Sequence, residues 1–126
     1  MPTGQRSSTP AVHRDIWQSA TAYIEGRLGE LLTVQDIARA ALTSERQLQR
    51  VFAAEGATVR QYISGARMRQ AAALTIDTDS SVTEIATRVG YGHPSAFIKA
   101  FRLHHGVTPT ELRHRHRGVS RDNGAK

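Results

Sequence analysis

Residues 81–101 read SVTEIATRVGYGHPSAFIKAF, and the fold turns on how this stretch divides. A helical pattern runs from Val82 to Val89 and stops at Gly90-Tyr91-Gly92. A second begins at Pro94. Isolated helices shorter than about 12–15 residues are marginal in water. Two such short helices at so tight a corner therefore have to stabilise each other by packing.

The same unit occurs earlier in the chain. Thr33-Val34-x-Asp36-Ile37-Ala38 matches Ser81-Val82-x-Glu84-Ile85-Ala86, 48 residues on. Leu48, Val51 and Phe52 match Phe97, Ala100 and Phe101 at a shift of 49, and Gly56 and Thr58 match Gly106 and Thr108 at a shift of 50. Cap, apolar stripe, corner, second helix and terminating glycine recur in order, which marks one supersecondary unit used twice. A short capped helix, a turn and a second helix is the layout of a helix-turn-helix, whose second helix enters the DNA major groove. A plain helical hairpin that only buries apolar surface has the same layout, so the exposed faces have to separate the two readings.

Elsewhere along the chain every strong pattern is helical, and the sequence holds no credible strand. Ile16, Ala20, Ile24 and Leu28 recur at spacing four beside Tyr23, giving a first helix that Gly29 is expected to end. Thr33 with Asp36, Ser44 with Gln47, Thr58 with Gln61, Ser81 with Glu84 and Thr108 with Glu111 are capping signatures. Pro109 takes the favoured first position of the last helix. Val59, Tyr62, Ile63, Ala66 and Leu74 give a long central helix its apolar side. The expected organisation is a flexible arm over 1–11, a first helix-turn-helix subdomain over 12–57, a linking helix over 58–76, a second subdomain over 77–117 and a flexible tail over 118–126. The fold class is all-α, with about seven helices.

At about 100° per residue, Arg46, Gln49 and Arg50 share one side of their helix, opposite Leu48, Val51 and Phe52. In the other unit Ser95, Ala96, Lys99 and Arg102 lie opposite Phe97 and Phe101. No carboxylate occupies either face, although Glu45 sits nearby. A generic solvated helix mixes signs to form i,i+4 pairs, and Arg and Gln are the types that pair with guanine and adenine edges.

Composition points the same way. The net charge is +6 and cysteine is absent; the pI is about 10.7. A basic domain suits an anionic partner. Without cysteine there are no disulfides, thiolate metal sites or cysteine nucleophiles. No apolar run approaches the length of a membrane span, and MPTGQRSSTP at residues 1–10 lacks the apolar centre of a signal peptide. The expected location is cytoplasmic, at the nucleoid when bound. His104-His105 and His114-x-His116 do not place two rings on one helical face, so no metal is expected. His93 is expected to cap the helix opened by Pro94. Arg67, inside the central helix, suits a structural ion pair better than a base contact. No nucleophile–base spacing or phosphate-binding glycine loop is present, so neither an enzyme nor a cofactor is expected. A membrane-surface helix bundle would set bulky apolar residues beside its basic face, whereas Phe97 and Phe101 fall on the core stripe.

These residues resemble the AraC/XylS family of bacterial transcription regulators. The likeness covers roughly Ile16 to Arg113 and is most specific in SVTEIATRVGYGHPSAFIKAFRLHHGVTPTELR, residues 81–113. The Ile-Ala pair, Val-Gly-aromatic, Phe-x-x-x-Phe, Gly-Val-x-Pro and closing Arg all have the family's pattern. DIARAALTSERQLQRVFAAEGATVRQYI and Arg67-Met68 also fit. The resemblance implies two helix-turn-helix units joined by a long helix, binding double-stranded promoter DNA and activating transcription, with RNA polymerase as a further partner. The candidate DNA-contacting set is Ser44, Arg46, Gln47, Gln49 and Arg50 in the first unit and His93, Ser95, Ala96, Lys99 and Arg102 in the second. Ala96 stands where relatives often carry a larger polar or aromatic residue, and Thr75 where an apolar one is expected. Ala96 suits a thymine methyl, and Lys99 a phosphate.

The central helix, about 28 Å long at 1.5 Å per residue, is of the order of the 34–36 Å between successive major grooves on one DNA face. One chain, a monomer on DNA, is expected to span two turns. Most relatives carry a sensing or dimerisation domain ahead of this module. The chain is therefore either a short regulator or the DNA-binding piece of a longer, ligand-sensing one. Bacterial alkylation-repair proteins carry a similar module fused to a cysteine methyl acceptor, an activity that zero cysteine excludes.

Overall fold

Seven helices follow one another in the computed structural model, which describes residues 9–125, with side chains described as far as residue 118: α1 (Pro10–Glu25), α2 (Val34–Ala40), α3 (Glu45–Ala54), α4 (Val59–Asp77), α5 (Val82–Arg88), α6 (Pro94–His105) and α7 (Pro109–Ala125). Among the described residues there is no strand.

Most helix starts are set by the residue types at their caps. The hydroxyl oxygens of Thr33, Ser44 and Ser81 accept from the amides of Asp36 (3.1 Å), Gln47 (3.0 Å) and Glu84 (3.1 Å). Three caps are reciprocal. The amides of Ser81, Thr58 and Thr108 donate in turn to Glu84 (2.7 Å), Gln61 (2.9 Å) and Glu111 (2.8 Å). Each such cap is worth about 1 kcal/mol. The Ser81 amide, then the Ser81 hydroxyl, hold the Glu84 carboxyl below the usual carboxylate range. Thr108 does the same to Glu111, helped by Arg102 and Arg115.

Three boundaries depart from the sequence expectation. Helix α1 begins at Pro10, inside the stretch expected to be an arm, because Thr9 caps it by accepting from Val12 at 3.2 Å and proline suits the first turn. Residues 1–8 of that arm lie outside the described residues. Helix α1 also ends at Gly26, not Gly29. Leu28, only 4 % exposed, reaches the core from the turn that follows. The tail expected to be unstructured from Gly118 instead continues α7 to Ala125. Gly118 and Gly124 each lower helix propensity by only about 1 kcal/mol, and no proline follows to break the run.

The chain divides into two compact units, residues 1–64 and 65–126, and the division falls inside α4. The helix expected over 58–76 forms as α4, Val59–Asp77. Its first half belongs to one core, through Val59, and its second half to the other, through Met68, Ala71 and Thr75.

In the first unit, Ile16, Ala20 and Ile24 of α1 are buried with Ile37 and Ala38 of α2 and Leu48, Val51 and Phe52 of α3. The rings of Trp17, Phe52 and Tyr62 pack edge to face or tilted at 4.7–5.6 Å, a geometry aromatic pairs favour. In the second unit Met68, Ala71, Ile85, Ala86, Val89, Phe97 and Phe101 form the core. Thr75, the polar residue at an expected apolar position, is 1 % exposed, and its hydroxyl donates to the Ala71 carbonyl at 2.7 Å. That bond removes the penalty of burying it. Arg113 closes the end of α4, donating from Nε to the Thr75 carbonyl (2.9 Å) and from a terminal nitrogen to the Thr78 carbonyl (3.0 Å).

Candidate nucleic-acid interface

The corner before each candidate recognition helix has the same geometry in both units. Leu42 (φ 56) and Gly90 (φ 91), 48 residues apart, are both left-handed. The next amide reaches back over the helix end in each: Thr43 to the Ala38 carbonyl at 3.0 Å and Tyr91 to the Ala86 carbonyl at 2.8 Å. This hydrogen-bonded stop turns the chain sharply. The following residue pair then differs, Ser44 capping α3 through its hydroxyl and His93 standing at the cap position of α6 without a side-chain cap bond. The capping role expected of His93 is therefore not performed by its ring. Pro94 at the first helical position sets the start instead.

On α3, Arg46, Gln49 and Arg50 are exposed, Gln47 is half-buried, and Ser44 is exposed at the N-cap. Leu48, Val51 and Phe52 on the other side are at most 1 % exposed. A rigid, fully packed inner face thus holds the outer one in place. On α6, Ser95, Ala96, Lys99 and Arg102 are exposed, with His93 exposed just before them. Phe97 and Phe101 are at 0 %. Ser95, Lys99 and Arg102 are spaced i, i+4, i+7 and line one stripe.

Among the described residues, Arg46, Arg50 and Lys99 are held by no ion pair, whereas Arg39 pairs with Asp36 and Arg117 with Asp79. Arg102 lies near enough to Glu111 to favour its carboxylate. Arg46, Arg50 and Lys99 are thus exposed cations outside any ion pair of the described residues.

The histidines are used otherwise. His13 pairs with Glu55 at 2.8 Å. His105 stacks on Phe101 at 4.4 Å and donates from Nε2 to the Met68 carbonyl at 3.0 Å. Partial burial, then His105 and Arg69, push His104 below the usual histidine range. Among the described residues no three potential metal ligands converge. No helix there is long and apolar enough to cross a membrane. The sequence flagged the closing Arg113 by its likeness alone; the structure gives it a task, capping α4.

Comparison with known proteins gives this arrangement a family. Residues 37–115 match the family profile described as a helix-turn-helix domain. The lactose operon transcription activator of Staphylococcus xylosus is 31 % identical over 104 residues, covering 82 % of this chain and 37 % of that protein. An AraC-type DNA-binding regulator from Chromobacterium violaceum superposes with a TM-score of 0.79 at 28 % identity, over 84 % of this chain and 96 % of that one. The DNA-binding domain of AdpA, described as a global transcriptional factor and solved with a target DNA, superposes with a TM-score of 0.75 at 29 % identity, over 83 % and 95 % of the two chains. The chain spans about a third of the length of the curated relatives it matches. With two like corners, two buried inner faces and these matches, the chain belongs to the AraC/XylS family of helix-turn-helix transcription regulators.

Proposed function

We propose that this chain binds double-stranded promoter DNA in a sequence-specific way, placing α3 and α6 in successive major grooves as a single chain. The observation that carries the reading is the division of each helix into a dry inner face and an exposed outer face, which bears Arg46, Gln49 and Arg50 on α3 and Lys99 and Arg102 on α6. Arg46, Gln49 and Arg50 are suited to base edges, with Ser44 and Gln47 at the same end of α3. Lys99 and Arg102 are suited to phosphate, and Ser95 and Ala96 to a shallower contact with bases; His93 stands at the helix start. DNA bending to meet the pair would cost of order 1–6 kcal/mol. The name of the Staphylococcus relative carries activation with it. We extend activation, and with it contact with RNA polymerase, to this chain as part of the same proposal.

The test is selection of bound sites from random duplexes, then affinity for every single-base variant of the recovered site. Arg50→Ala should weaken binding and relax preference at one position by about 1–3 kcal/mol. Unchanged affinity and preference for Arg50→Ala and Arg46→Ala together would refute the reading.

A further inference from the structure

A groove recurs beside each candidate recognition helix, at positions the internal repeat relates. The first, about 680 Å³, lies between the end of α3, the Gly56 corner and the start of α4; Gln49, Ala53, Thr58, Arg60 and Gln61 are among its walls. The second, about 560 Å³, lies between α6, the Gly106 corner and the residues opening α7. Ser95, Ile98, Lys99, Arg102, Leu103 and Thr108 line it. Gln49 and Ile98, like Ala53 and Arg102, are 49 residues apart; Gly56 and Gly106, like Thr58 and Thr108, are 50 apart. Both corner glycines have positive φ (94 and 81), and a Cβ on either would meet nothing within 4 Å, so both grooves open freely at the corner.

Their chemistry is cationic over an apolar floor. Among the described residues no carboxylate lines either one. Arg60 supplies the charge in the first and Lys99 with Arg102 in the second, while Val59 and Ala53, or Ile98 and Leu103, supply carbon. Leu103 is 84 % exposed, an unusual position for leucine on a polar helix face. The amides of Thr58 and Thr108 already donate to Gln61 and Glu111. Both cap amides are therefore committed, and the cationic groups that line the grooves are the side chains of Arg60, Lys99 and Arg102. One wall of each groove belongs to the candidate reading face: Gln49 in the first, Ser95 and Lys99 in the second.

We propose that each groove seats one sugar–phosphate strand of the duplex whose major groove the adjoining helix enters, with Arg60 in the first unit and Arg102 with Leu103 in the second as backbone-positioning residues. Guanidinium groups meet the phosphates, and Leu103 packs on deoxyribose carbons. The proposal rests on the DNA-binding reading and adds contacts outside the recognition helices' base-reading faces. Such contacts fix register without reading sequence.

Fluorescence anisotropy from 50 to 200 mM salt tests it, using the duplex recovered by selection and a shuffled duplex of the same composition. Arg60→Ala should weaken both duplexes alike, by about 3–10-fold, and reduce the salt slope by about 0.9. Leu103→Glu puts a carboxylate in the second groove and should weaken both by about tenfold or more. Leu31→Glu, at a residue 88 % exposed that lines neither groove, makes the same change in net charge and should stay within about threefold of the parent. All three positions are exposed, and equal thermal midpoints confirm folding. Arg60→Ala and Leu103→Glu both within twofold of the parent, while Arg50→Ala weakens binding, would overturn the grooves as strand sites and leave the DNA reading standing. The grooves fail as strand sites in the same way if Leu31→Glu is as damaging as Leu103→Glu, or if Arg60→Ala alters base preference at one position. Loss of effect for Arg50→Ala and Arg46→Ala as well would sink the DNA reading itself.

Discussion

Leu42 is a leucine where its own repeat partner is a glycine, and replacing it should strengthen the first unit. Its φ of 56 is left-handed, as is the φ of 91 at Gly90. A non-glycine residue held there is disfavoured by about 1–2 kcal/mol. Its side chain is 93 % exposed, so little burial is lost on truncation. Both corner bonds use backbone atoms only, Leu42 to the Arg39 carbonyl at 3.1 Å and Thr43 to the Ala38 carbonyl at 3.0 Å, and survive the change. Against the relief stands the extra freedom glycine gives the unfolded chain, about 0.4–1 kcal/mol. Leu42→Gly should therefore stabilise by about 0.5–1 kcal/mol, a rise in Tm of roughly 2–6 °C for a unit this small. The single tryptophan, Trp17, packs on Phe52 at 4.7 Å inside the first unit, so urea unfolding followed by its fluorescence reports the right half of the molecule. The mirror substitution, Gly90→Ala, should destabilise the second unit by about 1 kcal/mol or more, read by circular dichroism. An unchanged or lower midpoint for Leu42→Gly, alongside the expected loss for Gly90→Ala, would refute the account of strain at that corner.

Other outcomes follow from the same structure. Arg113→Met keeps the aliphatic stem but strips two charge-assisted bonds from the end of α4, and should lower stability by about 2–3 kcal/mol in a urea titration; a loss under about 0.5 kcal/mol would show that those carbonyls find water instead. Phe52→Ala should cost about 3–5 kcal/mol and shift Trp17 emission, since it empties a site at 0 % exposure. Lys99→Ala should weaken all duplexes alike with a shallower salt slope, and an unchanged slope would remove it from the phosphates. His104 resists protonation in the fold, so its contribution is complete above the ordinary histidine value of about 6.5 and is lost as pH falls below it. His104→Gln should flatten the parent's decline in Tm between about pH 7 and 5.5, and an identical decline in both would refute this. Glu84 and Glu111 are held low, so what they add persists down to about pH 4.3 and goes only below it.

What could be read from the sequence was what local chemistry determines. Caps at Thr33, Ser44, Thr58, Ser81 and Thr108 were legible because a hydroxyl three residues before a carboxylate or amide names its own hydrogen bond. The inner faces of α3 and α6 were legible because Leu48, Val51 and Phe52 on one, and Phe97 and Phe101 on the other, leave one side to bury. The start of α1 was hidden because Thr9-Pro10 sits in a stretch whose composition reads as linker. Helix α4 showed only part of its core: Met68 and Ala71 fall outside the stripe set by Val59, Tyr62, Ile63 and Ala66, because its two halves serve different units. Arg60 and Leu103 carried no signal, one lying outside both candidate helices and the other looking like an ordinary core leucine.

The repeat also shows where selection for folding ends. Leu48 and Phe97, Val51 and Ala100, Phe52 and Phe101 stay apolar in both copies, since all but the partly buried Ala100 fill a closed core at native packing density. The other positions of the same turns mostly differ: Arg46 corresponds to Ser95, Gln47 to Ala96, Gln49 to Ile98 and Ala53 to Arg102, while Arg50 and Lys99 both carry a cation. The exposed positions among these are nearly free of folding constraint, and on the proposed function what each face touches is left to set them. Two copies of one unit presenting unlike donors cannot favour the same base steps. On the proposed function the bound site should then be non-palindromic, with sharper base preference under α3 than under α6. A selected site with equal information in two inverted half-sites would contradict that step, whatever its affinity.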